Sequence, residues 1–416
     1  MTPKLRDAAL AALAFAVWPL AAASLPTAKP EDVGLSSERL ERIHEMIMRH
    51  VEAHDISGAV TIVARRGRIA HFAAHGLMDV ASTRPMDKEA LFRLASTTKP
   101  VTAVAVLILM EEGKLLLTDP VAKYIPEFKG AKVAVPNPPG SAERYSTVQA
   151  NRDITILDLL THTSGLASDG ITTPDFAKLV NARTPAESLA DYIPRLGSLP
   201  LEFQPGSKWR YSGLAGFETL GRIVEIASGM PFDRFLRQRL FEPLGMKDTM
   251  FAIPEKETTR LVTVYRRAAD GLHPPDRPLP LGSATFFSGA AGLTSTASDY
   301  LRFAQMLVGG GQIDGKRILS PRTVDLMMTN QVGELFNGQI GRPPAGVGFG
   351  LGGEVVVSAV DARLRKPDGS YGWDGAFGTY WWINRKEQMA AIFFLQTPGR
   401  AIHQEFDNAV SQAIVD

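Results

Sequence analysis

The pattern of apolar and polar residues predicts a helix followed by two strands at the start of the chain. Aliphatic residues recur at helical spacing between Leu40 and Val51, so we expect a helix over residues 36–54. Residues 58–64 and 68–75 are largely apolar and are separated by a short Arg-Arg-Gly segment. They are therefore expected to form two strands joined by a tight turn.

The most apolar segment of the chain covers residues 97–112 and ends at Gly113. Its Val, Ile, Leu and Met residues occupy every side of a helix rather than one stripe. A helix with this pattern is stable only when other elements enclose it. We therefore expect it to be buried on all sides.

The remaining periodic segments are helical in the middle of the chain and strand-like near its end. Helices are predicted over residues 155–161, 216–227, 231–240, 296–307 and 402–414. Strands are predicted over residues 354–358, 379–383 and 389–395, and Pro/Gly-rich loops over residues 135–140 and 274–280.

Together these elements predict an α+β fold. Strands at both ends of the chain indicate one antiparallel sheet built from both termini, flanked by helices and interrupted by a mostly helical insertion. The sheet domain is expected to comprise residues 24–115 and 340–416, and the helical domain residues 116–339.

The first 23 residues are typical of a signal peptide. Lys4 and Arg6 precede an apolar stretch over residues 8–20, and three alanines follow, so cleavage is expected after Ala23. The alternative is an uncleaved membrane anchor, but the apolar run is short for a membrane span. We therefore expect an exported protein, periplasmic or secreted, with no stable membrane insertion after cleavage.

The amino-acid composition excludes several kinds of partner and reactive site. The formal net charge of the 416 residues is +1 and no long basic run is present, which argues against nucleic acid as a partner. The chain has no cysteine, so disulfides, thiolate zinc sites and a cysteine nucleophile are excluded. The eight histidines show no metal-binding spacing, and we expect neither a metal nor a cofactor.

A serine and a lysine three residues apart, Ser96 and Lys99, mark the start of the most apolar helix. This spacing places both side chains on one face, and Pro100 suits the first helical turn. The helix N-terminus favours a developing negative charge, and a lysine held among apolar groups loses affinity for its proton. Ser96 is thus a candidate nucleophile and Lys99 its base, although a polar first turn with Ser96 as a cap would give the same short motif.

Four further segments appear in a fixed order along the chain. They are Thr-His-Thr-Ser-Gly-Leu over residues 161–166, Pro-Gly-Ser-Lys-Trp-Arg-Tyr-Ser-Gly over residues 205–213, Phe-Glu-Pro-Leu-Gly-Met over residues 241–246 and Gly-Trp-Asp-Gly over residues 372–375. With the Ser-x-x-Lys motif, they make the chain resemble the serine β-lactamase and penicillin-binding-protein superfamily. The resemblance is to the class C-like branch that contains the family VIII carboxylesterases.

The resemblance implies roles for individual residues. Ser96 matches the nucleophile, Lys99 its paired base, and Tyr211 the tyrosine that passes a proton to the leaving group. The segment containing His162 is structural in this family, so no catalytic role is expected for that residue.

The resemblance also implies a third motif and an oxyanion hole. Trp373, Asp374 and Gly375 match a segment that lines the substrate site, often Lys-Thr-Gly in β-lactamases and Trp-x-Gly in several esterases. The backbone N–H groups of Ser96 and Ala376 correspond to the oxyanion hole.

Two departures from the family pattern point to the substrate. Gly213 replaces an asparagine whose amide positions amide and β-lactam substrates. Trp373 replaces a lysine, and a neutral indole cannot pair with a substrate carboxylate. Both changes favour small neutral carboxylic esters, so we expect the family VIII-like carboxylesterase activity.

Other functions remain possible on the same scaffold: a β-lactamase or D-peptidase, an acyltransferase to an acceptor other than water, or a non-catalytic cell-wall binder. The partner expected first is a small-molecule ester. The sequence assigns no oligomeric state.

Overall fold

The computed structural model describes residues 25–167 and 169–416, so the predicted signal peptide lies outside the described residues. The helices, in chain order, are α1 (Ser37–Glu52), α2 (Thr98–Glu111), α3 (Ile156–Leu160), α4 (Thr173–Asn181), α5 (Leu189–Leu196), α6 (Ala215–Ser228), α7 (Phe232–Leu236), α8 (Glu242–Leu244), α9 (Ala297–Val308), α10 (Pro321–Met327), α11 (Ala359–Ala362) and α12 (Arg400–Ser411).

The strands are β1 (Gly58–Arg65), β2 (Arg68–Asp79), β3 (Arg84–Pro85), β4 (Phe92–Arg93), β5 (Lys132–Pro136), β6 (Tyr145–Gln149), β7 (Arg266–Ala268), β8 (Gly271–His273), β9 (Thr294–Ser295), β10 (Gln312–Ile313), β11 (Lys316–Arg317), β12 (Val347–Phe349), β13 (Glu354–Val356), β14 (Tyr371–Asp374), β15 (Tyr380–Asn384) and β16 (Met389–Leu395).

One antiparallel sheet of eight strands joins the two ends of the chain, which confirms the predicted fold class. Its order is β12-β13-β14-β15-β16-β1-β2-β3, and β1 pairs with β16 so that Val60 lies opposite Phe394. Because successive side chains of a strand point to opposite faces, each strand supplies two cores. Of the pair on β1, Val60 lies in one core and Ala59 in the other.

Helices cover both faces of this sheet. On one face α1 and α12 bury Ile43, Ile47 and Phe406 against Ala59 and its neighbours. On the other face α9 packs against β1, β15 and β16, and α2 lies in the same core. Every residue of α2 from Thr98 to Leu109 is buried, as its continuous apolar pattern predicts.

The middle of the chain is more varied than the mostly helical region that the sequence predicts. It contains three hairpins, β5–β6, β7–β8 and β10–β11, in addition to its helices. Residues 135 and 136, expected in a loop, end β5, because Val133 and Ala134 are buried and anchor the strand. Helix α9, which lies within residues 116–339, packs on the main sheet.

Other segments differ from the predicted elements in detail. The helix expected over residues 231–240 is α7 followed by a π-helical turn, Arg237–Phe241. Three strands of the main sheet, β3, β12 and β14, have no counterpart among the predicted strands. Among the helices of the described residues, none combines the length and apolarity needed to cross a bilayer.

Candidate active site

Ser96 lies in a tight turn that leads into α2. The 3-10 turn Ala95–Thr97 precedes Thr98, and Ser96 is partly exposed between the buried residues Ala95 and Thr97. Ala95 has a φ of 46°, in the left-handed region that a residue with a Cβ seldom adopts. The backbone is therefore strained at the position directly before the candidate nucleophile, a placement typical of functional sites.

Lys99 is fully buried, with 0% exposure, and its amine has three oxygen partners. Nζ lies 3.1 Å from Ser96 Oγ, 2.8 Å from the Gly213 carbonyl oxygen and 3.0 Å from the Ala290 carbonyl oxygen. A neutral amine can donate its two protons to the two carbonyls. Its lone pair then faces the Ser96 hydroxyl, which is the geometry that a base requires.

The carbonyl of Ala290 lies in a turn that is also bonded to α2 through the preceding residue, Gly289. The Thr102 hydroxyl donates to the Gly289 carbonyl at 2.7 Å, and the Ser288 hydroxyl donates to Glu218 Oε1 at 3.0 Å. Glu218 is buried, and this burial raises the pKa of its carboxyl group. The loop over residues 289–292 thus supplies a backbone acceptor to Lys99.

Tyr211 shares this pocket. Lys99 Nζ lies 5.0 Å from the centroid of the Tyr211 ring, and the indole Nε1 of Trp373 donates to the Tyr211 hydroxyl at 3.4 Å. Tyr211 is partly buried, and its segment leads into the helix α6, as the sequence predicts. A hydroxyl, an amine and a phenol from two distant parts of the chain therefore lie together.

Gly375 brings the end of β14 against the turn that contains Ser96. A Cβ atom at Gly375 would lie 2.3 Å from the Leu94 carbonyl oxygen and 3.1 Å from Thr97 Oγ1, so only glycine allows this approach. Ala376, the next residue, is exposed in the turn after the strand. The predicted partnership of the Ser96 and Ala376 N–H groups agrees with this proximity and stays a prediction.

Trp373 and Asp374 are both held by partners inside the protein. The indole of Trp373 is only 2% exposed, and its N–H is directed to Tyr211. Asp374 pairs with Arg342 at 3.0 Å. These contacts support Tyr211 and the end of β14, and the predicted role of Trp373 and Asp374 in lining the substrate site stays a prediction.

Gly213 contributes its backbone and leaves space beside it. Its carbonyl accepts the hydrogen bond from Lys99, and no atom lies within 4 Å of a Cβ placed on it. The missing asparagine side chain therefore corresponds to open volume next to the amine.

His162, for which the sequence predicts no catalytic role, packs directly against Tyr211. Its ring centroid lies 4.7 Å from that of Tyr211, and the side chain is 1% exposed. The signal that could have identified it is its place at the end of α3, in the Thr-His-Thr-Ser-Gly segment. Within residues 25–167 and 169–416, no group of three or more His, Asp or Glu side chains is arranged to hold a metal ion.

Comparison with known proteins identifies the fold family. The family profile described as Beta-lactamase matches residues 43–413. The chain belongs to the β-lactamase family. This family member is 37% identical to Protein Rv1367c of Mycobacterium tuberculosis over 355 residues, covering 82% of this chain and 86% of the relative. It is 32% identical to Esterase EstB of Burkholderia gladioli over 416 residues, covering 91% and 95% of the two chains.

A solved structure extends the likeness to the whole fold. The structure described as EstCE1, a hydrolase with promiscuous acyltransferase activity, superposes with a TM-score of 0.75 at 26% identity. The match covers 90% of this chain and 99% of that chain. The two proteins therefore share one fold over nearly their whole length.

Proposed function

We propose that this protein is a serine carboxylesterase that hydrolyses small neutral esters through an acyl-enzyme on Ser96. The observation that carries the proposal is the placement of the Lys99 amine, 3.1 Å from Ser96 Oγ and bonded to two backbone carbonyls. The esterase name of the relative from Burkholderia gladioli supports the same reaction class.

In the acylation step, Ser96 Oγ forms a bond to the ester carbonyl carbon as its proton passes to the pair of Lys99 and Tyr211. The carbonyl oxygen becomes an oxyanion, for which the N–H groups of Ser96 and Ala376 are the proposed donors. The bond from carbon to the alcohol oxygen then breaks, and Tyr211 protonates the departing alcohol. Lys99 and Tyr211 act as one coupled unit in these transfers.

In the deacylation step, a water molecule attacks the acyl carbon and gives up a proton to the same pair. The bond between the acyl carbon and Ser96 Oγ breaks, the serine regains its proton, and the carboxylic acid leaves. The enzyme then has the protonation state in which it began.

The preference for neutral substrates follows from the cations near Tyr211. Arg342 lies 5.1 Å from the Trp373 ring, but it pairs with Asp374 and Glu354. Its charge is thus compensated inside the protein rather than presented to a substrate carboxylate. The open space at Gly213 likewise holds no amide to position an amide or β-lactam substrate.

A second candidate reaction is acyl transfer to an alcohol instead of water. It is favoured by the similarity to EstCE1, which is described as a hydrolase with promiscuous acyltransferase activity. The acyl-enzyme is common to both reactions, and only the second nucleophile differs. Product analysis in the presence of added alcohol distinguishes transfer from hydrolysis.

We also propose that the protein is exported, because residues 1–23 have the composition of a signal peptide. The test is the N-terminal sequence of the protein recovered from the native host. A mature chain beginning at Ser24 supports the proposal, whereas an intact N-terminus in the cytoplasm contradicts it.

The acyl-enzyme is tested by mass spectrometry with a slowly hydrolysed nitrophenyl ester. Wild-type protein should gain the mass of one acyl group, and Ser96→Ala should gain none. Equal labelling of both proteins would refute the nucleophile assignment. Turnover of p-nitrophenyl butyrate against nitrocefin then separates an esterase from a β-lactamase.

A further inference from the structure

The imidazole of His162 lies at the centre of an aromatic cluster that supports Tyr211. Its centroid is 4.7 Å from that of Tyr211, 5.3 Å from Phe217, 5.3 Å from Phe349 and 5.6 Å from Trp209. The imidazole therefore packs against the ring whose hydroxyl the proposed reaction uses.

Two hydrogen bonds connect His162 to the backbone on either side of Tyr211. The Arg210 N–H donates to the His162 carbonyl at 3.1 Å, and the Ser212 N–H donates to His162 Nδ1 at 3.2 Å. His162 thus holds the backbone N–H groups of the residues before and after Tyr211 and also packs against its ring. Such a combination restrains the position and direction of the phenol.

The bond from Ser212 defines the protonation state of the imidazole. Because Nδ1 accepts a hydrogen bond from the Ser212 backbone N–H, the ring hydrogen of the neutral form is on Nε2, which is buried and has no hydrogen-bond partner among the described residues. Burial, with a smaller contribution from the charge of Lys99, lowers the pKa of His162 well below its ordinary value. The ring therefore acts as a neutral acceptor rather than as an acid or base.

The backbone of His162 is strained, and the two hydrogen bonds and the ring packing have to offset this strain. His162 has a φ of 58°, in the left-handed region where residues with a Cβ are strained. Aromatic packing alone does not need a left-handed residue at this position. The strained conformation brings both the carbonyl and Nδ1 of a single residue to the two N–H groups.

We propose that His162 is a positioning residue that aligns the Tyr211 hydroxyl for proton transfer to the leaving alcohol. The proposal rests on the proposed function, because it assigns His162 a role in the step that Tyr211 performs. It distinguishes His162 from the surrounding Phe and Trp side chains, which fill space but accept no hydrogen bond from this segment.

The experiment compares two esters that differ in their need for a proton. Ethyl butyrate loses ethanol and requires protonation by Tyr211, whereas p-nitrophenyl butyrate loses a stable anion that does not. The value of kcat/KM is measured for both esters in wild type, His162→Asn, His162→Leu and Tyr211→Phe. Asn places an acceptor oxygen near the position of Nδ1 and tolerates left-handed φ, whereas Leu has a similar shape without the acceptor.

We expect His162→Leu to lose about tenfold more kcat/KM on ethyl butyrate than on p-nitrophenyl butyrate, in the same sense as Tyr211→Phe. His162→Asn should restore the ratio of the two esters to within about threefold of wild type. If His162→Leu does not fold, as judged by its thermal melt, His162→Gly replaces it, because glycine removes both the acceptor and the strain.

Equal losses on the two esters in folded His162→Leu or His162→Gly would overturn the proposal, and so would a failure of His162→Asn to restore the ratio. If Tyr211→Phe itself shows no selective loss on ethyl butyrate, the proposed role of Tyr211 is wrong, and the role of His162 falls with it. A selective loss in Tyr211→Phe with unselective His162 variants overturns the positioning role alone.

Discussion

Two basic side chains, the fully buried Lys99 and the largely buried Arg342, lie beside the rings of Tyr211 and Trp373, and the protein accommodates them in different ways. Lys99 is bonded to a hydroxyl and two backbone carbonyls, and no carboxylate of the described residues lies within ion-pair distance of it. Arg342, by contrast, pairs with the carboxylates of Glu354 and Asp374. Both side chains are largely removed from solvent, but of the two only Arg342 forms ion pairs with carboxylates.

The difference fits a lysine that is proposed to gain and lose a proton and an arginine that stays charged. Neutral carbonyl dipoles can solvate Lys99 in its charged state and still bind it after it loses a proton, so the amine can cycle between the two forms. Carboxylates stabilise only the charged form, and a guanidinium does not lose its proton in proteins. The proposed base, Lys99, is thus held by dipoles, and the cation of Arg342 is held by opposite charges.

The largest expected effect comes from removing the amine. Lys99→Met should lower kcat/KM for p-nitrophenyl butyrate by about 10³-fold, because the Ser96 hydroxyl then has no base beside it. Steady-state kinetics measure the loss, with the exposed Lys129→Met as a matched control that should keep wild-type activity. A Lys99→Met protein with more than about a tenth of the activity would show that this amine is not the base.

Removing the other cation should affect stability. Arg342→Met takes away the guanidinium that Glu354 and Asp374 share, in surroundings where each carboxylate is less than one-fifth exposed, and should lower the free energy of unfolding by about 3–5 kcal/mol. Urea denaturation measures this change. Adding Glu354→Met should recover part of the loss, since one of the two buried carboxylates is removed. A loss below about 1 kcal/mol would mean that the pair behaves as an exposed one.

His75, a buried histidine outside the site, is a third basic side chain, and it is neutral at pH 7 in the folded protein. Burial, together with the neighbouring His71 and His44, lowers the pKa of His75 to about 3. The ordinary pKa is 6.5, so between about pH 6 and pH 4 the unfolded chain binds one more proton at this group. Above pH 6.5 the titration of His75 does not affect the free energy of unfolding. As the pH falls through this interval, the free energy of unfolding decreases by about 1.4 kcal/mol per pH unit.

His75→Gln should therefore reduce the slope of unfolding free energy against pH by about that amount, measured by denaturation between about pH 7 and pH 4. His273→Gln is the control, since the His273 side chain is 42% exposed. An unchanged slope in His75→Gln would show that His75 takes up its proton without unfolding.

The smallest expected effect concerns the open space beside Lys99. Gly213→Asn should fold normally, because no atom lies within 4 Å of the added Cβ. Its amide should raise turnover of nitrocefin by about two- to tenfold, the value of one hydrogen bond, with little change on p-nitrophenyl butyrate. Gly213→Ala is the matched control without an amide. Equal rates in both variants would mean that the amide reaches neither substrate nor amine.

Much of this arrangement is local in the sequence and could be predicted. The apolar pattern of α2 indicated its burial, and the spacing of Ser96 and Lys99 placed them on one helical turn. The first and last strands, β1 and β16, are long apolar runs, so the sheet from both termini was also predictable.

The parts that could not be predicted depend on contacts between distant segments. Strands β12 and β14 are short, and Gly348 and Gly372 interrupt their apolar pattern because tight packing leaves no room for a Cβ. Arg342 and Asp374 are 32 residues apart, and no local pattern connects them. The burial of Trp373 likewise depends on aromatic neighbours from distant segments, such as Phe349, and does not follow from its motif.

The left-handed backbone of Ala95 has a consequence for attempts to engineer the protein. Replacing Ala95 by glycine would remove a steric penalty of about 1–2 kcal/mol, so a screen for thermal resistance would select it. The same change would give the residue before Ser96 many more conformations. The methyl group of Ala95 therefore lowers thermal stability while it restrains the backbone next to Ser96.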